Sequence, residues 1–185
     1  MRASHPALLA AGRAILELRE DIVVRWLEWL EVRGTIGTTI SRAMLQRHLQ
    51  LLVTMLAEMV GPMRREVKGL WFQNCEQYGR AGATRGLAAG EVVEELQFLR
   101  DLLTRQLAPV LAAMRARQAM AIVLRLNRVL DKGVAVAVVG YTDALVATLF
   151  TENGVPAPGS EFDPAEAERQ IVALEQELAA LTPHR

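Results

Sequence analysis

The chain has 185 residues, 51% of them hydrophobic, and its 21 basic residues balance 21 acidic ones. That length suits one domain with an appendage, the apolar share can fill a core, and the lack of a basic excess argues against a general nucleic-acid binder. A single cysteine, Cys75, excludes an intrachain disulfide and fits a reducing compartment. With no basic-then-apolar leader at the start, the expected location is the cytoplasm. Helix formers dominate and apolar residues recur mostly every three or four positions, so the fold class is all-α.

Pro6 suits the first turn of a helix, where its missing N–H costs nothing. Leu8, Ile15, Leu18, Ile22, Trp26 and Leu30 then form one stripe, widened by Val23, Leu27 and Trp29. The pattern predicts one amphipathic helix ending near Gly34, with both tryptophans in the core or at a dimer contact. After a connector over 34–39, Ser41 is the expected N-cap of a second helix. This helix carries Leu45, Leu49, Leu52, Val53, Leu56 and Met59 and stops at Gly61-Pro62. His48 lies on it without a second ligand at helical spacing, so it reads as a packed or surface histidine. Residues 63–69 read as a charged connector.

The most distinctive stretch runs from Leu70 to Leu111. Leu70, Trp71, Asn74, Tyr78 and Ala81 share a helical face, flanked by Cys75. Gly79, Gly82 and Gly86 weaken that helix. They point to a close approach by another backbone, with Gly86 as the residue that ends the helix. Glu91, Glu94 and Glu95 suit the start of the next helix. Its stripe is Val92, Leu96, Leu99, Leu103, Leu107 and Val110, and Pro109 kinks it or marks its end. After a connector over 112–118, a long helix is expected to turn Ile122, Leu126, Val129, Leu130, Val134, Val138, Tyr141, Leu145 and Phe150 inward. Asp143 interrupts its most apolar run, which argues against a membrane span.

Residues 153–160 are the clearest break in the chain. Beyond it, Asp163-Pro164 reads as an N-cap and first turn. Ile171, Leu174, Leu178 and Leu181 follow at spacings of three, four and three, a two-heptad seam for a dimer or for packing back on the domain. The expected organisation is a domain over 6–152, a linker over 153–162 and a C-terminal signalling helix over 163–182.

No catalytic motif stands out. Adjacent carboxylates such as Glu94-Glu95 and Glu20-Asp21 diverge by about 100° on a helix. There is no phosphate loop, and no histidine-rich metal spacing. An enzyme is not expected.

Tyr78, Gly79, Arg80, Ala81, Gly86, Glu91, Val92, Glu95, Leu99 and Arg100 resemble the centre of the N-terminal sensor domain of RsbR-type stressosome proteins (RsbT co-antagonists). Similar domains stand at the front of some bacterial sensor histidine kinases. Arg25-Trp26-Leu27, Leu130-Asp131 and Tyr141 extend the likeness over about residues 8–151. Ala88-Ala89-Gly90 departs from it, because that turn usually offers a serine or proline. The resemblance implies a globin-like bundle that binds no haem, a homodimer, and a linker helix that passes a signal to an output domain beyond this chain. It implies no cofactor, metal or nucleic-acid partner. A small ligand would be expected among Trp26, Trp71, Cys75 and Tyr78. A non-sensing helical adaptor is the alternative. A haem or gas sensor is a further one, although no histidine occurs between His48 and His184.

Overall fold

The computed structural model describes residues 3–37, 39–152 and 164–182. Seven helices account for them, with no strand among the described residues: α1 (His5–Glu17), α2 (Arg19–Arg33), α3 (Arg42–Val60), α4 (Arg64–Thr84), α5 (Ala89–Ala112), α6 (Ala116–Glu152) and α7 (Pro164–Leu181). The all-α class is therefore established. The expected linker over 153–162 and the N-cap at Asp163 lie outside the described residues.

The predicted first helix is two. It bends at Leu18, a residue with φ −88° and ψ −3°, while backbone bonds from Leu18 to Ala14 and from Ile22 to Leu18 carry across the bend. The buried face changes character there. Before the bend it is small, with Ala7, Ala11, Gly12 and Ala14 beside Ile15; after it come Ile22, Val23, Trp26, Leu27 and Leu30. Small side chains let α1 lie close to α3, since a Cβ on Gly12 would sit 3.0 Å from the Ala57 carbonyl oxygen.

The boundaries follow local chemistry. Gly34 ends α2 in the left-handed region (φ 68°), with Thr35 N–H donating back to Leu30. The Ser41 hydroxyl accepts from Met44 N–H at 3.1 Å and caps α3. Gly86 (φ 78°) closes α4 in the same way, with Leu87 N–H bonded to the Gly82 carbonyl at 3.2 Å. Ala88 brings no side-chain oxygen to the start of α5. The Glu91 carboxylate instead accepts the Ala88 N–H at 2.8 Å, so one half of a capping box serves alone.

Two connectors are shorter than expected. Residues 64–69 are the first turns of α4, because Val67 is buried one turn before Leu70 and Trp71, while the charges around it face outward. Likewise α6 begins at Ala116. Pro109 lies inside α5, one turn before its end.

The centre of the fold is the crossing of α4 and α6. A Cβ on Gly79 would overlap the Ala137 carbonyl oxygen, and one on Gly140 would overlap the Glu76 carbonyl oxygen. At Gly133 an added Cβ would meet Trp71 Cζ2 at 2.7 Å and Cys75 Sγ at 3.1 Å. Gly82 instead makes room for Val92 of α5. Thus the glycines of the distinctive stretch serve two different neighbours, and only Gly79 faces α6. Polar ties surround the crossing. Tyr141 donates to the Leu87 carbonyl at 2.8 Å, and Arg100 pairs with Asp131. Arg125 of α6 donates to the carbonyls of Met59 (3.2 Å) and Gly61 (2.6 Å), which end α3.

Beyond Tyr141 the expected inward pattern fails. Leu145 is 45% exposed and Phe150 51%.

Gly79→Ala is expected to lower stability by about 3 kcal/mol, since backbone must move to admit the methyl group. Gly69→Ala, where a Cβ meets nothing within 4 Å, should be neutral or stabilising by up to about 1 kcal/mol. Urea unfolding of both variants checks this, and an unchanged midpoint for Gly79→Ala would refute the close crossing.

Candidate functional site

Trp71, Asn74, Cys75 and Tyr78 follow one another at helical spacing on the inner face of α4, and all are fully buried. Trp26 arrives from α2 and His48 from α3. The Trp26 and Tyr78 rings lie 5.8 Å apart, and the His48 ring meets Tyr78 edge-on at 5.5 Å. All four residues expected to bound a ligand pocket are therefore in one core region. Trp26 contacts Tyr78, while Trp71 and Cys75 close over Gly133. A hollow lies elsewhere. It is an open cleft of about 630 Å³ between the start of α3 and α7, lined by Thr39, Ser41, Met44, Arg47 and Glu168 among others.

Below Tyr78 sits a buried ionic group that sequence reasoning missed. Arg85, at the end of α4, donates from Nη1 and Nη2 to the two carboxylate oxygens of Glu95 on α5, at 2.9 and 2.7 Å. The Tyr78 hydroxyl donates to the same carboxylate at 2.6 Å, and Arg85 Nη1 also donates to the Thr35 carbonyl at 3.1 Å. The guanidinium lies 5.5 Å from the Tyr78 ring centre. Both charged side chains are essentially removed from solvent. The Arg85–Glu95 pair thus joins α4, its terminal turn, the α2–α3 connector and α5. Burial, reinforced by the Glu95 charge, pushes the Tyr78 phenol well up, so it stays protonated and donates. The signal in the sequence was positional: Glu95 falls on the inward stripe between Val92 and Leu99, where an acid needs a partner.

The remaining groups are inert or oriented. Burial raises the Cys75 thiol, which holds it as an unreactive core residue. His48 lies with Nε2 3.3 Å from the Asn74 carbonyl, an acceptor only, so the neutral ring carries its proton there. Burial lowers its pKa to about 4, against the opposing pull of the Asn74 backbone bond. The indole N–H groups of Trp26 and Trp71 and the Asn74 amide have no hydrogen-bond partner in the protein.

The other expectations resolve differently. Trp29 is half-buried at the surface and stacks on Phe98 at 4.4 Å, under Arg33. Arg100 reaches α6 at Asp131. Glu94 and Glu95 diverge, Glu94 to surface Arg33 and Glu95 to Arg85. No cluster of three metal-ligating side chains occurs among the described residues. The α7 seam does not face outward as an open dimer edge. Ile171, Leu174 and Leu178 are buried on α3 and α4 of the same chain, while Leu181 remains 38% exposed. Arg47 fastens this packing through Glu175, at 2.9 Å from Nε, and stands 3.8 Å from Glu168.

No protein-family model matches the chain, and no curated protein or solved structure matches it.

Glu95→Ala should cost about 4 kcal/mol, because it leaves the Arg85 charge buried and unpaired. The double variant Arg85→Met/Glu95→Leu should recover most of that loss. Thermal unfolding of the three proteins decides it, and a mild single variant would contradict the buried pairing. A second expectation concerns acid. The unfolded chain protonates His48 near the ordinary 6.5, but the folded chain does so only near 4. The neutral-ring contribution is therefore complete above pH 6.5 and lost as pH falls to 4, a loss of about 3 kcal/mol. Stability of wild type and His48→Leu measured across that window should diverge in slope; parallel curves would refute it.

Proposed function

We propose that this chain is a dimerising signal-input module without enzymatic activity, of the RsbR sensor type. It would pass a change in its helix packing to an output domain through its C-terminal helix. The observation that carries this reading is the apolar outer face of distal α6. Val139, Val146 and Phe150 are 55%, 43% and 51% exposed, and they lie together about a quarter turn or a little more from the glycines that face α4. Seven-residue spacing sets Val139 and Val146 on one line. Exposed aliphatic residues clustered on one line favour a protein partner over isolated contact with water.

The residues behind the family likeness support the reading in kind. Tyr78, Gly79, Glu91, Glu95, Arg100, Asp131 and Tyr141 are all occupied in holding helices together. Such packing roles suit a structural and regulatory reading. A stimulus that forms hydrogen bonds would find the Trp26 and Trp71 N–H groups and the Asn74 amide in the core.

A second reading has its own observation. Over Ala116–Phe150, α6 is long and apolar enough to cross a membrane, with mean hydropathy 1.8 in an 18-residue stretch of which 17% is buried. Against it, Gly133 and Gly140 are pressed on α4, and Asp143 stands 3.7 Å from Arg80. One face of the helix is already taken by protein, which favours a partner of similar shape.

Sedimentation velocity tests the proposal. The wild-type chain should sediment as a dimer, and Val139→Asp/Val146→Asp as a monomer with unchanged helical circular dichroism. A monomeric wild type would sink the dimer reading, and pelleting of that monomer with phosphatidylcholine vesicles would favour the membrane one.

A further inference from the structure

α7 has one apolar edge and uses three quarters of it. Ile171, Leu174 and Leu178 are 1%, 4% and 5% exposed against α3 and α4, whereas Leu181, next in the same three-four-three series, is 38% exposed. The opposite face of the helix, with Glu166, Arg169, Gln170, Ala173 and Glu177, is exposed. The polar fastening is equally partial. Arg47 of α3 forms a two-pronged bond with Glu175 and a looser approach to Glu168, with its side chain still 39% exposed. A pair this accessible is screened by solvent and holds weakly. By contrast, α4 and α6 are locked through backbone contact at glycines. The two attachments differ in kind: α7 is held by a short side-chain edge and a surface ion pair, the core by interlocked backbone.

A four-residue edge at heptad spacing also suits a second helix of the same pattern, and a parallel copy would cover Leu181 as well. We propose that α7 is a strap in exchange between two seats. In the docked seat its edge lies on α3 and α4, latched by Arg47. In the released seat Ile171, Leu174, Leu178 and Leu181 pair with the same edge of α7 in a second copy. The two seats use the same side chains, so each excludes the other. This rests on the reading that the chain dimerises, which brings two α7 helices within reach. It assigns that reading a switch: docking keeps the output helices apart, and release joins them. Arg47 and the adjoining cleft are where a partner or ligand would bias the exchange.

The experiment uses the whole chain and two substitutions with opposite expectations. Arg47→Glu sets like charges against Glu175 and Glu168. It should speed amide exchange over residues 171–178 by roughly tenfold or more and leave Trp71–Tyr78 of α4 unchanged. Adding Glu175→Arg should restore slow exchange. In a parallel set carrying Leu181→Cys, Arg47→Glu should raise the yield of disulfide-linked dimer under mild oxidation, and the charge swap should lower it again. Cys75 is buried and contributes no background. A dimeric chain whose α7 stays as protected as α4 in Arg47→Glu overturns the strap while leaving the dimer reading intact. Faster α7 exchange without added cross-linking overturns the second seat. A wild type that sediments as a monomer and forms no cross-link removes the dimer reading and this proposal together.

Discussion

The crossing of α4 on α6 sets the position of nearly everything else. Gly79 and Gly140 let two backbones meet where any side chain would intrude, and Gly133 lets Trp71 lie flat against α6. Once that contact is made, Trp71 and Cys75 lie against Gly133 of α6, and Tyr78 reaches toward α2, α3 and α5. Trp26, His48 and Tyr78 then share one core region. The crossing also fixes which face of α6 is spent. Residues on the glycine side are covered, while Val139, next to Gly140, and Val146 lie about a quarter turn or more away and are exposed. Exposure of distal α6 is thus a consequence of tight packing upstream, and it needs no local defect.

The Arg85–Glu95–Tyr78 group works differently. Burying an ion pair is a poor way to gain net stability, because desolvation offsets most of the attraction. Its value lies in geometry. A planar guanidinium facing both oxygens of one carboxylate accepts a narrow range of positions. A third bond from Tyr78 and a fourth to the Thr35 carbonyl narrow it further. Apolar side chains alone would let α5 slide along α4 by part of a turn. With this group in place, such a slide exposes an unpaired charge to a dry core. The two constraints are complementary, since the glycines set a distance and the ionic group sets a register.

Much of this was legible in the residues, for reasons that differ by element. Gly34, Ser41 and Gly86 end or begin helices through chemistry confined to a few neighbouring residues, so their roles could be read directly. The inward stripe of α5 was equally clear, because it rests on spacing. What failed depended on distant partners. The break at Leu18 falls where the buried face changes from small to large residues, and no proline or glycine marks it. The partner of Gly79 is sixty residues away in sequence, and nothing local distinguishes it from the partner of Gly82. Leu145 and Phe150 continue a valid stripe past the point where the core ends. Periodicity reports a face and is silent on whether anything covers it. Trp26, Trp71, Cys75 and Tyr78 were expected together, and all four are buried in one core region.

The same limit explains why α7 carries the functional question. A heptad edge is defined by its own spacing, whereas its occupant is decided by competition between surfaces of comparable apolar character. Within one chain the α3–α4 groove has the advantage of proximity. That advantage acts as a high effective concentration rather than as better contacts. A second copy held nearby through α6 would gain an advantage of the same type for its own α7. The balance then depends on small differences, such as one half-exposed ion pair at Arg47 and one aliphatic side chain at Leu181. Those are magnitudes that a bound molecule or a neighbouring protein can shift. A core locked by interpenetrating backbones beside a helix held by side chains alone separates a rigid reference from a part free to change seats. In that division the rigid part needs no chemistry of its own.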